Sequence, residues 1–244
     1  MRKSIISFFM VFLALTAFSQ TNKKPYAYKS AFIEYELSGN TTGKQTLYID
    51  DWGWNHSETT NSVTKMLGQK TENHQRTVTI KFDTYQWVIG EKTGTKVHNQ
   101  WLDDLMNDPT FDMEEFGEKT LEALNFRKTG TETVQGKVCD VWKSDIGSTS
   151  WVWNNIAVKT ELKFFGTKQV MTATKIEIDA SAPGSEFDIP SDIKFTETSL
   201  DPSQMNFEGI PEGAETPSDS AGEESVPEIK SFKDLKGLLK KGGK

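Results

Sequence analysis

Three histidines, one cysteine and two adjacent acidic pairs are the residues through which this chain could do chemistry. His56, His74 and His98 stand 18 and 24 residues apart, with no His-x-x-x-His spacing and no glutamate placed to assist. The helical zinc-hydrolase pattern is therefore absent, and no metal is implied. Cys139 lies in Lys137-Val-Cys-Asp-Val-Trp142, between apolar neighbours rather than in the electropositive setting that activates a thiol. It reads as a small buried strand residue. Asp103-Asp104 and Glu114-Glu115 are neighbours on helical segments, so the members of each pair point apart and belong to a solvated surface. There is no Gly-x-Ser-x-Gly elbow. Scattered carboxylates of the glycosidase kind leave no local motif, but no constellation supports an enzyme, and neither catalytic residues nor cofactors are assigned.

Aromatic residues remain, and their chemistry is burial. Tyr35, Phe82, Tyr85, Trp87, Trp142, Trp151 and Trp153 fall on segments of strand character. Together they could line an apolar cavity, or they could simply fill a core. A lining of that kind suits an acyl chain, since each buried methylene is worth about 0.8 kcal/mol.

The elements that must position them are mostly strands. Ile33, Tyr35 and Leu37 alternate with Glu34, Glu36 and Ser38, which marks a half-buried strand. Gly39 to Gly43 is a turn, Gln45 to Asp50 a second strand, and Asp51-Trp-Gly-Trp54 a corner. Residues 57–75 are polar apart from Val63, Met66 and Leu67, the pattern of a long hairpin or a loop. Val78, Ile80 and Phe82 form a strand that turns at Asp83-Thr84 into Tyr85, Trp87 and Ile89. The period then changes. Trp101, Leu102, Leu105 and Met106 recur at helical spacing, and Asp112 with Glu115 resembles a capping box ahead of Met113, Phe116, Leu121 and Leu124. These two short helices can cover one face of the sheet or cap its open end, and as a lid they would use Trp101, Leu105, Phe116 and Leu121. Strands resume at 126–134, 137–144, 148–154, 156–164 and 168–180, and Phe187 and Ile189 before Pro190 read as a closing edge segment.

The ends differ in composition. Arg2 and Lys3 precede an apolar run from Ile5 to Phe18, and Ala17 and Ser19 are small residues at the −3 and −1 positions, so 1–19 reads as a signal peptide cut before Gln20. The run is shorter than the ~20 residues a spanning helix needs, and no cysteine stands at the cut to carry a lipid anchor. The expected product is exported, with a periplasm as the expected compartment. Removing Arg2 and Lys3 from the 28 basic residues leaves 26 against 35 acidic ones, a net charge of −9, which argues against nucleic acid as a partner. A single cysteine excludes an internal disulfide framework. Residues 20–30 read as a flexible lead and 31–198 as the folded domain. Residues 199–228, with four prolines and no lysine, read as an acidic disordered linker. Residues 229–244 form a basic amphipathic tail whose Phe232, Leu235, Leu238 and Leu239 could touch a membrane surface, an envelope protein partner or the chain's own sheet.

Strands, an interrupting helical pair, then strands closing at Phe187-Asp-Ile-Pro190 make a pattern that resembles the LolA/LolB-like superfamily of lipoprotein carriers and its exported relatives. Tyr35, Gly39, Gly43, Tyr48, Trp52-Gly53, Tyr85-x-Trp87 and Gly136 to Trp142 carry the likeness, which spans Ala31 to about Phe195. It implies a mainly β (α+β) fold. A curved antiparallel sheet would form an unclosed half-barrel, with short helices covering the apolar face. It also implies carriage of an acyl chain, lipid or lipoprotein. The arginine that latches the lid in the periplasmic carrier has only Lys44 in its place, on the Gly43 to Asp50 strand. The other reading is an envelope interaction protein with a filled core that recruits its partner or the membrane through the tail.

Overall fold

The computed structural model describes residues 23–199 apart from 67, 108–110, 112, 114–120, 123–124, 146 and 165–166. Twelve strands form one open sheet: β1 (Ala31–Gly39), β2 (Thr41–Asp50), β3 (Asn55–Met66), β4 (Gln69–Ile80), β5 (Asp83–Val88), β6 (Thr93–His98), β7 (Phe126–Val134), β8 (Lys137–Ser144), β9 (Thr149–Trp153), β10 (Ile156–Phe164), β11 (Thr167–Ile178) and β12 (Lys194–Ser199). Their order is β12-β6-β5-β4-β3-β2-β1-β11-β10-β9-β8-β7. Strands β1 to β6 and β7 to β11 are thus two antiparallel meanders joined where β1 pairs with β11, and β12 lies on the outer edge beside β6. Residues between β6 and β7 include the seven-residue helix α1 (Gln100–Met106). Asn99 caps α1, its Oδ1 accepting from the Leu102 backbone N–H at 3.0 Å. This is the mainly β, unclosed half-barrel expected from the sequence.

The polar stretch 57–75 is a long hairpin of β3 on β4, paired residue for residue from Asn55↔Ile80 to Met66↔Gln69. Two readings need correction. The turn between β4 and β5 is Lys81-Phe82, not Asp83-Thr84, because Ile80 already pairs with Asp83 and Lys81 takes the left-handed φ of 55°. Phe82 is therefore a turn residue. Phe187 and Ile189 do not close the sheet either. Gly184–Phe187 is a 3-10 turn, and the closing strand is β12, which runs parallel to β6.

The lead is not loose over its described part. Tyr26 and Tyr28 are buried, the Tyr26 N–H donates to the Trp52 carbonyl at 3.0 Å, and Asn155 Nδ2 donates to the Pro25 carbonyl at 2.7 Å. The arm crosses the corner at Asp51–Gly53, where Asp51, Trp52 and Gly53 have φ of 50°, 61° and 97°. Only glycine fits at the third position, since a Cβ on Gly53 would lie 2.1 Å from the Tyr26 ring.

Apolar side chains collect in several groups. The largest joins Tyr26, Tyr28, Ala31, Ile33, Tyr35, Ile49, Ile156 and Ala173. A second holds Leu121, Phe126, Trp142 and Val152, and a third Cys139, Val141, Trp151 and Val158. A fourth surrounds Met113 with Trp54, Leu102, Met106 and Phe111, which seats α1 against the corner. Among the described residues no helix is long and apolar enough to cross a membrane.

Candidate functional site

Register decides which residues share a face. From β1 outward the pairings Ile33↔Leu47, Leu47↔Glu58, Glu58↔Thr77 and Thr77↔Gln86 form one row across the sheet. Ala31, Ile49, His56, Thr79 and Thr84 form the next row, and Tyr35, Gln45, Thr60, Gln75 and Val88 the one after. We call this the core face, because Ile33 and Tyr35 on it are buried in the main apolar group. It is apolar on β1 and β2 and turns polar on β3, β4 and β5.

The polar part is unusually enclosed. Thr60, Ser62 and Gln75 are buried, and burial pushes the Glu58 carboxyl up to about 7, partly opposed by the hydrogen bond it accepts from Thr60 Oγ1 at 3.1 Å. Burial likewise pushes His56 down to about 4, so its ring is neutral at pH 7. Tyr26 meets the His56 ring edge-on, at 5.9 Å between centroids. Thr77 Oγ1 and His56 Nε2 are buried without a hydrogen-bond partner. Buried polar atoms are normally paired, so an unpaired hydroxyl beside a carboxyl whose ionisation burial disfavours is where a bound polar group would gain most.

The opposite face of the same strands meets residues 184–199 of the chain. Arg76 donates through Nη2 to the Glu186 carboxylate and backbone carbonyl, both at 2.7 Å, and Ser57 Oγ donates to that carboxylate at 3.2 Å. Further on, Phe195 packs edge-to-face on Tyr85 and Trp87, at 5.3 and 6.0 Å between centroids. Gly94 makes room for it, since a Cβ there would lie 2.7 Å from the Phe195 ring.

The seven aromatics singled out in the sequence are therefore not one lining. Tyr35 is on the core face. Tyr85 and Trp87 are on the other, because Tyr85 pairs with Val78 and Trp87 with Arg76. Phe82 meets Trp54 edge-on at 5.7 Å. Trp142 sits with Phe126, while Trp151 sits with Cys139 and donates Nε1–H to Glu132 at 2.7 Å. Trp153, with Lys137 Nζ 3.7 Å from its ring centre, packs against both the main group and the Cys139 group. Of the lid residues, Leu121 is buried beside Trp142. Trp101 and Leu105 lie in α1 with side chains outside the described set, and Phe116 lies outside the described residues altogether. Phe232, Leu235, Leu238 and Leu239 also lie outside them.

Sequence reasoning missed Glu58, Thr60, Gln75 and Thr77. They sit in a stretch of ordinary polar alternation, and only the even-numbered periodicity of Glu58 and Thr60 on β3 carried a signal. Cys139 is buried as expected, and burial pushes its thiol up. Among the described residues no three His, Cys, Asp or Glu side chains come together to hold a metal ion.

No protein-family model and no curated protein matches the chain. Among solved structures it is similar to an uncharacterized conserved protein from Thermus thermophilus, at 7% identity and a TM-score of 0.45 over 70% of this chain and 92% of that one. It is similar to a chain of the Pseudomonas aeruginosa MucA/MucB complex, at 14% identity and 0.38, over 68% of this chain and 57% of that one. It is also similar to LprF from Mycobacterium bovis, at 11% identity and 0.31, over 65% and 90%.

Proposed function

We propose that this protein is a non-enzymatic, exported binding protein or carrier for an amphipathic ligand with an acyl chain. The chain would lie over Leu47, the partly buried residue at the margin of the apolar part of the core face. The polar end would reach the Glu58 and Thr77 row. One observation carries the reading: a single sheet face changes from apolar to polar within two strands, and its polar half holds a buried hydroxyl with no partner. Leaving such a group unpaired costs ~1–3 kcal/mol. A 16-carbon chain would contribute on the order of 10 kcal/mol before entropic costs.

The test is native mass spectrometry with solvent extraction on protein spanning residues 20–244, purified without detergent. A stoichiometric adduct of lipid mass supports the reading. A clean protein mass, with no uptake of added single-chain lipids, overturns it.

A further inference from the structure

We infer that the polar end of the ligand is an uncharged, hydroxyl-bearing group, such as the glycerol of a monoacylglycerol, and that anionic headgroups are rejected. The inference rests on the binding reading above and narrows it to a chemical class.

The warrant is how charge is distributed between the two faces. On the core face of β2 to β6 the paired rows carry no lysine and no arginine among the described residues. Every cation of this stretch that pairs within the sheet falls on the opposite face: Lys44, Lys65, Lys70, Arg76 and Lys96. Several are already matched there, Arg76 by Glu186 and Lys96 by Asp83 and Glu197. A carboxylate or phosphate on the core face would meet no counter-charge from these described rows and would face the Glu58 carboxyl, whereas anion sites are built from arginine, lysine or exposed backbone N–H groups. The groups it does meet are hydroxyls and amides: Thr60, Thr77, Thr84, Gln75 and Gln86. Each can donate and accept, which suits hydroxyls that do the same. Thr77 Oγ1 is buried and free to do so, while Thr79 and Thr84 already bond each other at 3.0 Å. A neutral polyol is thus matched in charge and hydrogen-bond character, and the acyl chain behind it is matched by the partly buried Leu47 on β2.

Binding is measured by titration calorimetry at pH 8, below the micelle concentration of each probe, with 1-monopalmitoylglycerol, palmitate and palmitoyl-lysophosphatidylglycerol. The glyceride is expected to bind at least ten-fold more tightly than either anion. Thr77→Val, which keeps shape and strand preference, is expected to weaken glyceride binding about ten-fold and leave palmitate unchanged. An equal or tighter affinity for either anion overturns the inference while leaving the binding reading intact, as does a Thr77→Val variant with unaltered preference. Failure of all three probes overturns both.

Discussion

Arg76 on β4 holds Glu186 through two hydrogen bonds of 2.7 Å, one to its side chain and one to its own carbonyl. The pair ties residues 184–199 across the back of the strands whose front is the candidate site. Both side chains are about four-fifths buried, so the bond is not the screened kind that surface ion pairs make.

Breaking that bond should loosen the segment without unfolding the sheet. Arg76→Ala leaves a largely buried carboxylate without its cation, though still bonded by Ser57, and is expected to cost roughly 2–3 kcal/mol. Glu186→Gln keeps the carbonyl bond and should cost about 1 kcal/mol. Urea titration gives the two values, and hydrogen exchange should show faster amides in β12 for Arg76→Ala while β1 and β11 stay protected. Equal exchange in β12 and β1 would mean the segment is not separately held.

The corner at Gly53 offers a sharper comparison. Gly53→Ala puts a methyl 2.1 Å from the Tyr26 ring at a φ of +97°, whereas Gly90→Ala has a similar φ of +94° with nothing within 4 Å. Backbone cost alone is about 1 kcal/mol. Gly90→Ala should show that and no more. Gly53→Ala should lose about 2–4 kcal/mol and release the 23–30 arm to proteolysis. Similar losses at both positions would show that the arm yields easily.

Glu58 and His56 make a pH prediction with a definite sign. Glu58 rises from an ordinary 4.5 to about 7, so its ionisation costs stability progressively above pH 4.5 and fully above 7. His56 falls from an ordinary 6.5 to about 4, so its protonation costs stability progressively below pH 6.5 and fully below 4. Between pH 4.5 and 6.5 the unfolded chain holds one proton on His56 and the folded chain holds one on Glu58, and the two slopes cancel. Glu58→Gln removes one of them. Relative to the parent, the variant should gain roughly 1 kcal/mol per pH unit from 4.5 to 6.5, measured by urea unfolding at three pH values. A constant difference across that range would show that Glu58 is ionised in the folded protein. Burial and the Thr60 hydrogen bond act on Glu58, and burial acts on His56, on which Tyr26 packs.

These side chains show what the sequence could and could not reveal. The strands from β7 to β11 were legible to within two residues because each is bounded by a turn and alternates strongly, as in Ile156, Val158 and Leu162. Strand β12 was not, since Lys-Phe-Thr-Glu-Thr-Ser carries one apolar residue and is a strand only through its pairing with β6. The site was hardest. Alternation shows that a strand has two faces, but not which face of its neighbour each one joins. Tyr35 and Trp87 both have the character of inward residues, and only the chain of pairings from β1 to β5 separates them. Glu58 has the sequence neighbours of a solvated residue, yet it stands between Leu47 on β2 and Thr77 on β4, where burial disfavours its ionisation.

The two faces yield a final prediction, because an aromatic and an aliphatic residue exchange the roles their size suggests. Trp87 is large and buried, but it packs on Phe195 behind the sheet. Leu47 is smaller and only partly buried, but it lies on the core face between Ile33 and Glu58. Trp87→Ala should therefore cost about 3 kcal/mol of stability and leave acyl-chain binding within about two-fold. Leu47→Asp introduces a carboxylate where the chain would lie and should abolish binding of 1-monopalmitoylglycerol, while thermal unfolding confirms a folded sheet. If Leu47→Asp fails to fold, Leu47→Ala supplies the same comparison at lower cost, with an expected affinity loss of about five-fold. Loss of binding in Trp87→Ala with retention in both Leu47 variants would place the ligand on the opposite face, against Phe195 and the 184–199 segment.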